Sequence, residues 1–350
     1  MITKKQRLSI IYFLSRAVFL GVGYSLMFAS AGKDAWLSII LGTLIGIIIV
    51  LAIKFVMKNK KDISLKEVFK KMKFWGVILE ILYFLFLMFL MYECILIMQT
   101  MTTSFFLVNS PPLFVGATGA FLVIMTIKEN NTTIFKVAEI LAIIAVLTTL
   151  ITCITLIPYG EIKAFLPALT ASPKAILISS LYYTAISTGP ILLALDFQDD
   201  GKHLIKTYLA SSFFLLLLGL VIIAVLGPVL IQIYRFPEYM VLKRIKIMDF
   251  IEKVENIISI IWILDAFMIL VTTTHNLKNL LPEKGSKIIS SIILIILTII
   301  TGIVFGGNYI LVLETYHLVP LILGIFIILI LLPLVIYTIL KHKKRRHSQL

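Results

Sequence analysis

Apolar residues fall in ten blocks, separated by short polar, basic or proline-containing stretches. The blocks cover residues 8–30, 36–57, 75–106, 113–127, 134–157, 175–197, 205–231, 251–275, 288–305 and 318–340. A helix needs about 20 apolar residues to cross the hydrocarbon core of a bilayer, so each block reads as a transmembrane helix. The fourth block is short and the third long enough to tilt or to project from the bilayer. The pattern predicts an all-α polytopic membrane protein of about ten transmembrane helices.

Two blocks are interrupted. The first carries Gly21-Val22-Gly23 near its middle, and the sixth carries Ser187-Thr188-Gly189-Pro190. Each glycine costs a helix about 1 kcal/mol relative to alanine, and proline removes a backbone donor. In hydrocarbon such weaknesses are compensated by neighbours or put to use. Interruptions at matching positions in two halves are the best sequence pointer to a transporter-type binding site. Ten spans divide into five and five, the first entering from one side and the sixth from the other. The expected organisation is therefore a single transmembrane domain, 1–350, built of inverted repeats at roughly 8–157 and 175–340. The repeat is one of hydropathy and interruptions, without residue-level similarity.

The loops supply orientation. Lys4, Lys5 and Arg7 precede the first span, eight lysines between Lys54 and Lys73 follow the second, and a basic tail occupies 341–350. By the positive-inside rule both termini are cytoplasmic, which requires an even number of spans. Between Lys58 and Lys73, the pattern Ile63, Leu65, Val68, Phe69, Met72 predicts a helix lying on the inner membrane surface. In the first loop Gly32 can end one helix, Asp34 can cap the next and Trp36 sits at interfacial depth. Residues 158–174 hold three prolines and no span. Residues 228–250 read as an outer loop whose short helices, with Ile245, Ile247 and Phe250 on an amphipathic run, cover the mouth of the bundle. Gly42/Gly46 and Gly302/Gly306 are spaced as helix-packing faces.

Composition agrees: 60% of the 350 residues are hydrophobic, 14% are charged and mean hydropathy is +1.06, far from the balance of a soluble domain. The net charge of +14 is explained by the loop bias. No nucleic-acid-binding module is visible. Cys94 and Cys153 lie inside apolar blocks and read as small hydrophobes rather than a disulfide or metal pair. No enzyme signature occurs: Gly21-Val22-Gly23 has no third glycine at Leu26, and there is no P-loop or metalloprotease helix. No catalytic residue, metal or cofactor is expected.

A half-helix exposes N–H groups at its start and carbonyls at its end, which attract a carboxylate and a cation respectively. Gly21, Val22, Gly23 and Tyr24 are therefore candidates for cradling a zwitterionic ligand, together with Ser187, Thr188 and Gly189. Tyr183 precedes the second interruption and could close over a ligand. Ionisable residues inside spans mark functional paths or internal pairs. Glu93 and Asp265, the latter one turn after Trp262, are the deepest and complete the candidate site. Arg16, one turn before the first interruption, can pair with an acid. Glu80, Glu139 and Asp196 lie near span ends.

Ala31-Gly32-Lys33-Asp34-Ala35-Trp36-Leu37-Ser38, following a Gly-Val-Gly helix, resembles the start of the spore germination permease family, the B subunit of nutrient germinant receptors. Phe236-Pro237, then Ile247-Met248-Asp249-Phe250-Ile251-Glu252-Lys253-Val254-Glu255 and Ile261-Trp262-Ile263-Leu264, is similar to the same family's outer loop and span eight. The resemblance implies a LeuT-like fold of the amino acid/polyamine/organocation transporter superfamily, with helices 1 and 6 broken. It implies a small-nutrient pocket between spans one, three, six and eight, with an amino acid as a typical ligand. It also implies an A-type membrane subunit and a C-type lipoprotein as partners in the spore inner membrane. The sequence departs from the family's pattern where a glutamate often follows the span-six glycine, since Gly189 is followed by Pro190 and Ile191. It departs again late in span eight, where Met268-Ile269-Leu270 stands in place of a lysine-bearing stretch, and at Asp265, where a small residue is usual. An autonomous secondary transporter of amino acids or related solutes is the competing expectation.

Overall fold

The computed structural model describes residues 3–60, 63–129, 131–245, 254–306 and 308–347, which form helices joined by turns and loops, with no strand among them. Among the described residues, eight helical stretches are long and apolar enough to cross a membrane. The first, Lys4–Lys60, turns within itself. It contains α1 (Lys4–Arg16), α2 (Tyr24–Ala31) and α3 (Ala35–Lys60), and Gly32 takes φ +57° at the turn between α2 and α3. A shorter apolar helix, Pro112–Ile127, supplies the fourth block. Every expected span thus has its helix, and the chain is an integral, multi-pass membrane protein.

The remaining helices follow in order. They are α4 (Leu65–Lys71), α5 (Phe74–Phe105), α6 (Pro112–Ile127), α7 (Asn131–Leu156) and α8 (Pro173–Thr188), then α9 (Leu204–Ile233) and α10 (Pro237–Leu242). After residue 253 come α11 (Val254–Leu280), α12 (Ser286–Ile300), α13 (Tyr309–Phe326) and α14 (Leu332–His347). Apolar side chains such as Leu44, Ile48, Phe121, Ile140, Ile154 and Ile303 face outward, as a lipid-facing surface requires. Inside, α1 lies among α7, α9 and α11, and α2 lies on α8. The interrupted first span is therefore at the centre of the bundle. α3 packs along α8 and α9 through its small residues: a β-carbon on Gly42 would stand 2.6 Å from the Ser180 carbonyl oxygen, and one on Gly46 would collide with the Tyr208 hydroxyl. Gly302 is pressed likewise against Leu113 of α6, 2.7 Å from its Cα.

Several local expectations change. The helix after residue 63 is only α4, and Leu65, Val68 and Phe69 are buried against protein, including α5, rather than laid on lipid. Asp34 does not cap α3. Its carboxylate accepts hydrogen bonds from the backbone N–H groups of Leu169, Thr170 and Ala171 at 2.9, 2.7 and 2.8 Å. The Ala31–Ser38 motif thereby clamps the loop before α8, where three backbone donors would otherwise need partners. That loop forms two 3₁₀ turns, Ile157–Tyr159 and Ile162–Phe165, and no span. α9 continues past Gly227 (φ +74°) and Pro228 to Ile233, so the outer loop is shorter than expected. Ile247, Phe250 and most of the Ile247–Glu255 motif lie outside the described residues.

Candidate functional site

The first span unwinds where its glycines stand. Leu20 takes ψ +114° and Gly21 φ +110°, a backbone region that favours glycine, within the π-type turn Phe19–Gly23. All five residues of that turn are buried. A β-carbon at Gly23 would collide with the Phe19 ring, and one at Gly21 would stand 3.1 Å from Ile97 of α5. Ile97 is one turn along α5 from Glu93, on the same face. Tyr24 turns away from the break and donates its hydroxyl to the Leu215 carbonyl of α9 at 2.5 Å.

The second interruption tightens rather than unwinds. Gly189 keeps helical angles (φ −54°, ψ −54°) and donates to the Ala185 carbonyl at 2.8 Å. The chain then continues as the 3₁₀ segment Pro190–Asp196. Pro190 lacks an N–H, and neighbours satisfy the altered carbonyls: Asn276 of α11 donates to Leu193 O at 2.9 Å. The Ser187 and Thr188 hydroxyls donate back to the Thr184 carbonyl at 3.5 and 2.7 Å. Ser187 also meets the Tyr208 hydroxyl at 3.3 Å. These side chains serve the contact of α8 with α3 and α9. Tyr183 joins α8 to the break: its ring packs edge-on against Phe19, with centroids 5.2 Å apart.

The deep charges divide into two kinds. Asp265 of α11 forms a fully buried ion pair with Arg16, Oδ2 to Nη2 at 2.8 Å. Arg16 also donates to the Tyr12 hydroxyl and to Thr149 Oγ1 of α7. The pair fixes the end of α1, one turn before the break, to α11 and α7. Glu93 is fully buried and its carboxylate has no hydrogen-bond partner among the described residues. The buried Trp262 indole N–H is likewise unmatched among them.

One site residue gave no warning in the sequence. Glu238, in the first turn of the six-residue α10, is 1% exposed, and its Oε1 accepts a hydrogen bond from the Gly21 N–H at 2.8 Å. Its Oε2 has no hydrogen-bond partner among the described residues. Burial pushes this carboxyl up to about 7. Around it, Tyr239 stacks on Phe105 of α5 with centroids 3.7 Å apart, Phe236 meets the same ring edge-on, and the Tyr239 hydroxyl donates to Asn256 at 3.0 Å. The Arg235 guanidinium lies 4.9 Å from the centre of the Tyr316 ring of α13. α10 is thus a seated cap over the break. At the opposite end, Arg7 of α1 pairs with Asp199 beyond the second interruption at 2.7 Å. An acid in a helix's first turn ordinarily serves the helix dipole in solvent, so only the three-dimensional seat reveals Glu238's role.

The break thus brings together a backbone donor outside the helix ladder, the Phe19–Tyr183 ring pair and the Glu238 carboxyl, with Glu93 one turn along α5 from Ile97. Among the described residues no three His, Cys, Asp or Glu side chains come together as a metal site would need. Residues 1–308 match the family described as spore germination protein. The chain belongs to that family. One relative, "Putative spore germination protein YfkT" of Bacillus subtilis (strain 168), is 26% identical over 338 residues, covering 91% of this chain and 90% of its own length. Spore germination family membership is joined by a transporter fold. A mutant of the manganese transporter of Eremococcus coleocola superposes with TM-score 0.57 at 11% identity, over 95% of this chain and 78% of that one. Mhp1, a nucleobase-cation-symport-1 family transporter in a closed conformation with bromovinylhydantoin bound, gives 0.50 at 14% identity, over 92% and 77%. The fold is the LeuT-like one of these carriers.

Proposed function

We propose that this chain is the membrane subunit of a nutrient germinant receptor. It binds a small nutrient, such as an amino acid, at the break around Gly21 and passes the change to its partners. The observation that carries this reading is the buried helix break whose Gly21 N–H leaves the helix ladder and is held by a carboxyl group. Such a donor, reinforced by the start of α2, is suited to the carboxylate of an amino acid. Val22 and Gly23 continue the cradle, and Tyr183 walls it through Phe19. Glu93 and Trp262 supply unmatched polar groups for the rest of the ligand. Asp265 acts through Arg16 by fixing α1. Ser187, Thr188 and Gly189 set the geometry of α8 and act on the pocket indirectly. The halves 8–157 and 175–340 form the two inverted repeats between which the ligand shifts the equilibrium, by binding one state better than the other. The termini face the cytoplasm, the membrane is the spore inner membrane, and the partners are the A-type membrane subunit and the C-type lipoprotein.

The second reading, an autonomous secondary transporter, draws support from the solute carriers with which the fold superposes. The test of the first is genetic. A strain lacking this chain is exposed singly to amino acids, sugars and nucleosides. Loss of germination toward one nutrient class, restored by the intact gene, supports the receptor. Wild-type germination toward every nutrient would count against it.

A further inference from the structure

Glu238 reaches the Gly21 N–H from 217 positions along the chain, from outside the spans, and does so with the chemical group expected of the ligand. We infer that the Glu238 carboxylate is a built-in competitor: a carboxylate-bearing nutrient gains the Gly21 N–H by displacing Glu238, and the displacement unseats α10. This rests on the reading of the break as a nutrient site and adds how that site is regulated and read.

Three features favour displacement over a permanent structural bond. First, the seat is only half satisfied. Oε1 has its donor, whereas Oε2 is buried with no hydrogen-bond partner among the described residues. A buried carboxyl group with one oxygen unmatched carries an uncompensated desolvation cost, so a better-matched carboxylate with its own counter-charge replaces it readily. Second, Glu238 sits on a helix of six residues. Moving so small an element disturbs few backbone hydrogen bonds. Third, α10 is attached through side chains that join separate parts of the bundle: Tyr239 and Phe236 to Phe105 of α5, and the Tyr239 hydroxyl to Asn256 of α11. Unseating Glu238 therefore changes contacts on two spans at once. A buried event becomes a change at the surface of the bundle, where a partner subunit can read it.

The competition also sets sensitivity. Only the fraction of molecules with Glu238 displaced offers the site, and apparent affinity is reduced by that fraction. The net contribution of one buried hydrogen bond is enough to make the reduction about tenfold.

The experiment uses the full chain in lipid nanodiscs with spin labels at the exposed Ala29 and Arg244. Four versions are compared: wild type, Glu238→Gln, Glu238→Ala and Glu238→Asp. Gln keeps an acceptor oxygen at the same reach, whereas Ala lacks it and Asp falls one methylene short. Without any ligand, wild type and Glu238→Gln should give one narrow distance distribution, and Glu238→Ala and Glu238→Asp a broader, longer one. If one of the latter pair misfolds, the other gives the answer. Unchanged distances in the folded Ala and Asp variants would overturn the seat. Each version is then titrated with the twenty amino acids and with alaninol and ethanolamine as carboxylate-free controls. Amino acids that bind wild type should bind the Ala and Asp variants about tenfold tighter, with the controls unchanged. Weaker binding in those variants would overturn competition and make Glu238 a partner for the ligand's ammonium group. If the labels move and no amino acid binds any version, the nutrient reading falls while Glu238 stands as a latch.

Discussion

At the scale of single residues, the Arg16–Asp265 pair decides how the break is held. Both groups are buried at the centre of the bundle, where each pays a desolvation cost of several kcal/mol. Their attraction and the bonds from Arg16 to Tyr12 and Thr149 offset it. Removing one partner leaves a buried, unbalanced charge. Asp265→Asn is therefore expected to destabilise the folded chain by about 3–5 kcal/mol, and the double change Arg16→Met, Asp265→Leu to recover most of that loss. Thermal unfolding of the purified chain in nanodiscs checks both. Equal stability of wild type and Asp265→Asn would show that the pair is dispensable. The sequence made each charge visible, because an ionisable side chain inside an apolar block must have a partner or a use. It did not say that these two meet, since that depends on α1 crossing α11. Glu238 was hidden for the opposite reason: outside the spans an acid demands no explanation until its seat is seen.

At the scale of elements, the two interruptions differ in kind, and substitutions separate them. Gly23→Leu drives a side chain into the Phe19 ring, which stands between the break and Tyr183. Gly189→Leu meets the Ala185 carbonyl at 2.7 Å and Leu323 at 3.0 Å, so part of its clash is with backbone that cannot yield. Both should abolish the nutrient response with membrane insertion intact, and Gly189→Leu should also lose about 1–3 kcal/mol of stability. A normal dose response in both, measured as germination rate against nutrient concentration, would remove the break from the mechanism. The element α10 carries a pH dependence. Seated, Glu238 is pushed up to about 7 by burial; released into water it returns to the ordinary glutamate value of about 4.3. The seated form holds its proton better, so its advantage is complete below the ordinary value and is lost as pH rises through about 7. Less nutrient should then be needed for half-maximal response at about pH 8 than at about pH 6, and the difference should vanish in Glu238→Ala. An equal shift in that variant would assign the pH effect to another group. Pro190 announced a missing donor, but whether its span would unwind or tighten depended on Asn276, which donates to Leu193 O from another helix.

At the scale of the whole molecule, hydropathy alone carried the fold far, because in a bilayer every backbone group must be satisfied within a helix and each span must be long enough to cross. What it could not carry was the closure of the bundle at both ends. α10 seats Glu238 on Gly21 at one end, and Arg7 meets Asp199 at the other. A carrier must open these closures alternately, at a cost small enough to cycle. A receptor needs to open only the one that admits ligand and to hold the other. The Arg7–Asp199 pair is partly exposed, with the Arg7 side chain at 36%, and such pairs contribute at most about 1 kcal/mol. It cannot hold that end shut alone; behind it the fully buried Arg16–Asp265 pair ties α1 to α11, and separating the two charges would leave each buried and unbalanced. The receptor reading then predicts that the purified chain in proteoliposomes, under an imposed proton or sodium gradient, accumulates amino acids no faster than empty vesicles. Arg7→Ala should leave that result unchanged, because the deeper pair remains. Gradient-driven accumulation by the wild-type chain alone would replace the receptor with an autonomous carrier, and acceleration of that uptake by Arg7→Ala would identify the N-terminal end as the gate that limits it.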